Sequence, residues 1–263
     1  MTRKTEYIPS GKKIYFASDF HLGIPDHETS KAREKKIIRW LDFIKADAHA
    51  IYLLGDVFDF WYEYKYLVPK GFVRFQAKLA ELTDSGIRVH WLIGNHDMWI
   101  FSYFQKELGV EVLKSNLQIN INGQSFYIGH GDGLGPGDYF YKFLKLIFRN
   151  PFFQWVFRMV PPSVGMNIAR YWSSKSRLAN MKEEKFDLQK EYLYQFCKKM
   201  QSKQPHDFYI FGHRHLVLDI EVTGSRYINL GEWVSNNLCC YASFDGNHLL
   251  LHTFDDSHDT SSL

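Results

Sequence analysis

Short, largely apolar runs recur along the chain, and five of them end abruptly in a polar residue. The runs span residues 14–18, 51–55, 89–94, 126–129 and 208–212, and the residues that end them are Asp19, Asp56, Asn95, His130 and His213. Runs of this length and composition are typical of strands that are buried on both faces of a sheet. Because polar groups beyond the carboxyl ends of such strands meet at one edge of the sheet, we expect these five residues to come together.

In the first half of the chain, the segments between the runs have apolar residues at helical spacing. The predicted helices are residues 29–45, 72–84 and 100–108. In the first of them, Ile37, Leu41 and Ile44 share one face, and Gly86 and Gly109 follow the second and third. This half of the chain is therefore predicted to alternate strand and helix.

The second half is predicted to consist mainly of strands. They cover residues 110–113, 117–121, 126–128, 208–211, 217–222, 226–230, 238–244 and 248–253. Asn122-Gly123 and Asp245-Gly246 are typical tight turns between paired strands. Together the two halves predict an α/β (α+β) fold, a two-sheet sandwich flanked by helices, whose core is formed by residues 1–133 and 201–254.

Residues 134–200 differ in pattern from both halves. They are rich in aromatic and basic residues at helical spacing, and Pro151 and Pro161-Pro162 divide them into short helices. We interpret this segment as an inserted helical cap. The polar residues 255–263 are predicted to form a disordered tail.

Composition narrows the class of protein. The chain has 263 residues, 45% of them apolar, and a formal net charge of +3, which does not by itself indicate a nucleic-acid partner. Its three cysteines form no disulfide framework. The sequence contains neither a signal-peptide pattern nor about 18 consecutive apolar residues. We therefore expect a cytoplasmic protein.

The polar residues at the run ends are suited to binding metal ions. In Asp19-Phe20-His21 and in His213-Arg214-His215, two donors are spaced by two residues and therefore lie on the same side of an extended chain. Carboxylate, imidazole and amide donors favour Mn²⁺, Fe²⁺ or Zn²⁺. Two cations about 3.5–4 Å apart need a bridging ligand, normally a carboxylate, and Asp56 is the natural candidate.

The order Asp-X-His, Gly-Asp, Gly-Asn-His-Asp, Gly-His and Gly-His-X-His resembles that of the calcineurin-like metallophosphoesterase family, over residues 13–253. The resemblance implies a two-sheet sandwich flanked by helices. It also implies two metal sites, the first held by Asp19, His21 and His215, the second by Asn95, His130 and His213, with Asp56 bridging them. His96 is then placed to contact the substrate phosphoryl group or protonate the leaving oxygen, with Asp97 orienting its ring.

Within that family, the chain is most similar to the pyrophosphohydrolases that act on UDP-2,3-diacylglucosamine in lipid A synthesis. The similarity rests on residues 18–23, 54–61 and 129–132 and on the helical insertion that follows. It implies attack on the α-phosphorus, giving UMP and a diacylated sugar 1-phosphate. One departure is His96, where the best-known enzymes of that group have arginine. It keeps open a phosphodiesterase or phosphomonoesterase acting on another nucleotide or phospholipid, and a non-catalytic scaffold is a minor alternative.

The insertion supplies candidate substrate-binding residues. The candidates for binding the diphosphate are Arg149, Arg158, Arg170, Lys175 and Arg177. The candidates for binding an acyl chain are Phe143 and Trp155. A basic, aromatic surface also suits peripheral docking on the anionic inner face of a membrane. In the alternative interpretation, the aromatic residues form the core of the cap and the charges its solvated face.

Overall fold

The computed structural model describes residues 4–137, 139–168, 171, 173, 187–235 and 238–255. Its strands are β1 (Lys4–Glu6), β2 (Lys13–Ala17), β3 (Ala48–Leu53), β4 (Arg88–Leu92), β5 (Glu111–Leu113), β6 (Leu117–Ile121), β7 (Gln124–Ile128), β8 (Phe208–Phe211), β9 (Val217–Val222), β10 (Ser225–Leu230), β11 (Cys239–Phe244) and β12 (Leu249–Phe254). Its helices are α1 (His27–Lys45), α2 (Val73–Asp84), α3 (Tyr103–Leu108), α4 (Tyr139–Arg149), α5 (Pro151–Arg158) and α6 (Tyr192–Lys203). Residues 162–168 are also helical.

The strands form two mixed sheets of six, which confirms the predicted fold class. One sheet has the order β12-β11-β2-β3-β4-β5 and the other β1-β6-β7-β8-β10-β9. In the first sheet, β2 to β5 are parallel neighbours, whereas β11 runs antiparallel to β2 and β12. In the second, β8 is parallel to both β7 and β10. The carboxyl ends of β2, β3, β4, β7 and β8 carry the five predicted motifs.

The main core lies between the sheets, where each contributes one apolar face. Phe16 and Tyr52 from the first sheet meet Phe126, Ile210 and Ile228 from the second, all of them buried. The outer face of the first sheet is covered by α1, α2 and α3, and the apolar stripe of α1 packs there. Because β2, β3 and β4 are buried on both faces over most of their length, their sequences are largely apolar.

Helix α6 covers the outer face of the second sheet. Its Leu193 and Cys197 are fully buried and pack with Tyr209 and Tyr227. The boundary predicted at residue 200 therefore falls inside a helix that packs against the sheet. Strand β1 was not predicted, because its three residues, Lys-Thr-Glu, show no apolar pattern; it pairs in parallel with β6.

Helices α4 and α5 form the first described part of the insertion. Pro151 begins α5, and the Asn150 side chain accepts a hydrogen bond from the Phe152 amide, as at many helix starts. The pair is attached to the core by the Tyr62 hydroxyl, which donates to the Gln154 carbonyl at 2.7 Å, and by the Trp99 indole, which donates to that of Phe148 at 2.8 Å. Among the described residues, no helix is long and apolar enough to cross a membrane. Arg170, Lys175, Arg177 and nearly all of the predicted tail lie outside the described residues.

Candidate metal centre

All five motif residues lie just beyond strand ends and close together. Asp19, Asp56 and Asn95 follow β2, β3 and β4 of one sheet, and His130 and His213 follow β7 and β8 of the other. Asp19, Asp56 and His130 are buried. The centre is therefore assembled at the edge where the two sheets meet.

Asp19, His21 and His215 form a first group of donors. The two imidazole Nε2 atoms are 3.1 Å apart, and Asp19 Oδ1 lies 3.2 Å from His215 Nε2 and 3.6 Å from His21 Nε2. Donors about 2.1 Å from one cation are roughly 3.0–3.4 Å from each other when they occupy adjacent coordination positions. Asp19 Oδ1 is also buried without a hydrogen-bond partner in the described part of the chain. These donors fit a divalent cation.

A second group contains Asp56, His130 and His213, with Asn95 beside them. His130 Nε2 lies 3.2 Å from Asp56 Oδ2 and 3.2 Å from Asn95 Oδ1. The rings of His130 and His213 are in edge contact, with their centroids 4.9 Å apart. This group also fits a cation that prefers nitrogen and oxygen donors.

Asp56 lies between the two groups. The same oxygen, Oδ2, is 3.2 Å from His130 Nε2 in the second group and 3.8 Å from His21 Nε2 in the first. Its other oxygen, Oδ1, accepts a hydrogen bond from the His96 amide at 2.9 Å. Asp19 is held in the same way, since its Oδ2 accepts from the His213 amide at 2.9 Å. Each carboxylate thus has one oxygen fixed by backbone and the other directed at the donor groups.

The outward nitrogens of His130 and His215 also have close partners. His130 Nδ1 lies 2.7 Å from the Leu54 carbonyl, which can only accept, so in the neutral ring this nitrogen carries the proton and Nε2 has the lone pair that a cation would bind. His215 Nδ1 lies 3.2 Å from Glu232 Oε2. Glu232 was not predicted from the sequence, although it follows the buried strand β10 and Gly231, the same pattern that marks the five motifs.

Asp59 is a second residue that the sequence analysis did not assign. Its Oδ1 is 3.6 Å from His21 Nδ1, and its Oδ2 accepts a hydrogen bond from the Ser173 hydroxyl of the insertion at 2.7 Å. His21, Asp59 and His96 lie close enough to resemble a third donor set. However, His96 Nδ1 donates a hydrogen bond to the Asp59 carbonyl at 2.7 Å, so this nitrogen is not available to a cation. We therefore interpret Asp59 as a neighbour of His21 in the first group and not as a ligand of a third site.

The backbone is strained at the motif residues. Asp19, His21, Asp56, His213 and His215 have positive φ angles of 56°, 44°, 52°, 68° and 53°. Residues other than glycine seldom adopt this conformation, which costs about 1–3 kcal/mol at each position and persists where the surroundings enforce it. Here the strain turns the chain sharply at the end of each strand, so that donors two residues apart face the same space.

The glycines before Asn95 and His213 leave room for the carboxylates. A Cβ atom at Gly94 would overlap Asp56 Oδ1, and one at Gly212 would overlap Asp19 Oδ2 and the Ser18 hydroxyl. The Gly-Asn and Gly-His pairs of the sequence are thus explained by close approach of neighbouring strand ends.

His96 faces the centre from outside the two groups. Its Nδ1 donates to the Asp59 carbonyl, and its Nε2 points toward Asp56 Oδ2 at 4.0 Å. Burial lowers the pKa of His96, while Asp56 and Asp59 oppose this shift. A neutral His96 therefore presents a lone pair at Nε2, and a protonated one presents a donor.

Asp97 does not have the role that its position beside His96 suggested. Its carboxylate accepts hydrogen bonds from the Gly94 amide at 2.7 Å, the Val57 amide at 3.0 Å and the Trp91 indole at 3.2 Å. The expectation that it orients the His96 ring is wrong, since the Asp59 carbonyl does so. Asp97 instead ties the loop after β3 to the loop after β4.

The charges of the centre are strongly coupled. Burial acts to raise the pKa of Asp56 and Asp19, but the adjacent histidines hold both well below the ordinary value. Burial acts to lower the pKa of His130, but Asp56 raises it to about 10. Burial and the charge of His130 lower the pKa of His213 to about 4. Both carboxylates are therefore ionised at neutral pH, as cation binding requires.

The candidate residues of the insertion lie on α4 and α5. Phe143 and Trp155 are 60% and 56% exposed, and Arg149 Nη2 donates to the Lys114 carbonyl at 2.5 Å. Arg158 is the last residue of α5. In the described part of the chain, no hydrogen bond or ring contact joins these four residues to the two donor groups. By contrast, Phe148 and Phe157 pack against the core at Trp99.

Known proteins with similar sequences are phosphoesterases and hydrolases. A calcineurin-like phosphoesterase family model matches residues 12–217. A UDP-2,3-diacylglucosamine hydrolase of Porphyromonas gingivalis is 38% identical over 259 residues, which covers 93% of this chain and 98% of that protein. A protein of the same name from Ectopseudomonas mendocina is 30% identical, over 84% of this chain and 90% of that protein. Another, from Actinobacillus succinogenes, is 28% identical, over 77% of this chain and 83% of that protein.

Proposed function

Because the chain belongs to the calcineurin-like phosphoesterase family, we propose that it hydrolyses the diphosphate of a lipid-linked nucleotide sugar of the UDP-2,3-diacylglucosamine type. The products are UMP and the acylated sugar 1-phosphate. One observation carries the choice of substrate, the similarity to the Porphyromonas gingivalis hydrolase. That similarity covers 93% of the chain, so it includes most of the 134–200 insertion as well as the centre.

In this proposal, two divalent cations bind at the strand ends. Asp19, His21 and His215 hold one, and Asn95, His130 and His213 hold the other, with Asp56 bridging both. The support is the arrangement of two donor groups around one shared carboxylate oxygen. We expect Mn²⁺, with Fe²⁺ or Zn²⁺ as alternatives, since every donor is nitrogen or oxygen. Such a pair supplies an activated water nucleophile and offsets the charge that develops on the phosphoryl group.

His96 is proposed to act on the substrate and not on the cations. Its Nε2 faces the centre, while Nδ1 is held by the Asp59 carbonyl. In the protonated form it donates to a phosphoryl oxygen or to the leaving oxygen. Asp97 contributes indirectly, because it fixes the loop from Gly94 onward.

The insertion is proposed to bind the lipid part of the substrate. Exposed aromatic residues on α4 and α5 offer apolar surface, and Arg149 and Arg158 offer charge to the diphosphate. Phe143 and Trp155 are the residues we expect to contact an acyl chain. Arg170, Lys175 and Arg177 remain candidates for the head group; they lie outside the described residues.

The same helices are proposed to rest on a membrane at the cytoplasmic inner face. Neither helix has a buried residue among those described. Their exposed apolar side chains are Tyr139, Phe140, Phe143, Leu146, Phe152, Phe153, Trp155 and Val156. A basic, aromatic surface of this kind binds in the interface of anionic lipids.

Sedimentation with phosphatidylglycerol vesicles tests this docking. The wild-type protein should be found in the vesicle pellet and the Phe140→Ser/Trp155→Ser variant in the supernatant. Equal amounts of the two proteins in the pellet would contradict docking through this surface.

The enzymatic proposal is tested by substrate comparison. With Mn²⁺ present, we expect UMP release from UDP-2,3-diacylglucosamine at a kcat/KM well above that for UDP-N-acetylglucosamine or bis(p-nitrophenyl) phosphate. Asp56→Asn should abolish turnover, whereas Asp245→Asn, in an exposed turn, should leave it unchanged. Equal turnover of the soluble diesters would instead favour the general phosphodiesterase that His96 leaves open.

A further inference from the structure

Helix α1 carries a buried polar patch on its otherwise apolar inner face. Ser30, Arg33 and Glu34 are 4–5% exposed, next to the apolar residues that pack on the first sheet. Burying a guanidinium is costly unless its donors are paired. The partners of Arg33 therefore indicate what this patch is for.

Among the described residues, the hydrogen-bond partners of Arg33 all belong to the loop that carries His21. Arg33 Nη1 donates to the His21 carbonyl at 2.8 Å and to the Phe20 carbonyl at 3.2 Å, and Nη2 donates to the Ile24 carbonyl at 3.0 Å. In addition, the Ser30 hydroxyl accepts from the Gly23 amide at 2.7 Å. The planar fork of one arginine thus spans the loop from residue 20 to residue 24.

The other side of this loop is held by the loop after β3. The His21 amide donates to the Asp56 carbonyl at 2.9 Å, and the Leu22 amide donates to that of Val57 at 2.9 Å. The amides of His21 and Leu22 are thus held by the loop after β3, and the carbonyls of Phe20, His21 and Ile24 are held by Arg33. The strained φ of 44° at His21 persists because both sides are fixed.

We propose that Arg33 is a positioning residue for the first metal site, acting through the loop of His21. This inference rests on the proposed two-metal function. Arg33 contacts the loop of His21 but not those of Asn95, His130 or His213 in the described part of the chain. Its loss should therefore weaken one metal site and spare the other, which a general loosening of the fold would not do.

The test is a titration of metal-free protein with Mn²⁺. Calorimetry measures the affinity of each site, and electron paramagnetic resonance detects the signal of coupled manganese pairs. For Arg33→Met, we expect one Mn²⁺ to bind as in the wild type and the other to bind about 10–100-fold more weakly, the usual cost of losing an outer partner of a metal ligand. The coupled-pair signal should be lost at stoichiometric metal. Arg33→Lys keeps the charge but not the planar fork of donors, so its affinity for the weakened Mn²⁺ should lie between those of the wild type and Arg33→Met. Added guanidinium should restore the signal of the coupled pair in Arg33→Ala.

Glu34→Gln is the matched control. Glu34 is equally buried on the same helix, but it accepts from the Phe75 amide at 3.0 Å and has no hydrogen bond to the loop within the described residues. It should lower thermal stability without changing either Mn²⁺ affinity. The proposed role of Arg33 would be overturned if both Mn²⁺ sites kept wild-type affinity in Arg33→Met and Arg33→Lys. It would also be overturned if both sites were weakened equally. Failure of the wild-type protein to bind two Mn²⁺ ions would instead refute the proposed function.

Discussion

Replacing Glu232 by alanine should weaken the proposed first metal site by about tenfold. Glu232 Oε2 is 3.2 Å from His215 Nδ1, and its Oε1 accepts from the Ser235 hydroxyl at 2.6 Å. Loss of such a partner usually costs 10–100-fold in metal affinity. Because the side chains of His215 and Glu232 are 37% and 19% exposed, water screens the pair, and we expect the lower end of the range, about 1.4 kcal/mol.

Glu232→Gln separates charge from hydrogen bonding. The amide oxygen can still accept from Nδ1, but a neutral bond is roughly half as strong as a charged one, so we expect a loss of only about threefold. Mn²⁺ titrations of the metal-free variants measure both effects, and Ser235→Ala serves as a control that leaves the carboxylate in place. Wild-type affinity for both Mn²⁺ ions in Glu232→Ala would show that this carboxylate does not orient His215.

Three further predictions follow from the same geometry. His96→Ala should lower kcat by about 10²–10⁴-fold with two Mn²⁺ still bound, as measured by turnover and metal analysis; loss of metal would make His96 a ligand instead. Asp97→Asn should lower the free energy of unfolding in urea by about 1–3 kcal/mol, because an amide replaces an acceptor of three N–H groups; unchanged stability would contradict this. Burial acts to lower the pKa values of His21, His130 and His215, but neighbouring carboxylates raise them to about 9, 10 and 10. Their protonation stabilises the metal-free fold fully below the ordinary value near 6.5, and this contribution is lost as the pH rises toward the raised values. Mn²⁺ binding should therefore release protons and strengthen with pH over that range, in calorimetry with two buffers of different ionisation enthalpy; pH-independent affinity would contradict it.

The strand ends could be predicted from the sequence because burial leaves a direct pattern. Strands β3, β4 and β8 are buried on both faces over most of their length, so their runs are largely apolar and their ends are sharp. The spacing in Asp19-Phe20-His21 and His213-Arg214-His215 then allowed the ligand pairs to be inferred, and the family inferred from motif order is confirmed. The structure adds that these pairs face one space only through left-handed turns, for which the sequence shows no signal.

The supporting residues were harder to predict, because their partners are distant in sequence. Glu232 approaches His215 only when β10 lies beside β8, and Arg33 reaches the His21 loop only when α1 packs on the first sheet. Asp97 was misassigned because sequence adjacency to His96 suggested contact. In the sharp turn after Gly94 its side chain points inward, to the Val57 amide, and away from the imidazole.

We propose that a water molecule attacks the α-phosphorus of a lipid-linked UDP-sugar with the assistance of bound metal ions. Single-turnover hydrolysis of UDP-2,3-diacylglucosamine in H₂¹⁸O, with mass spectrometry of both products, tests it most directly. We predict that UMP carries the label and that the sugar 1-phosphate does not. Label confined to the sugar phosphate, or no UMP from the Mn²⁺-loaded protein, would contradict the account.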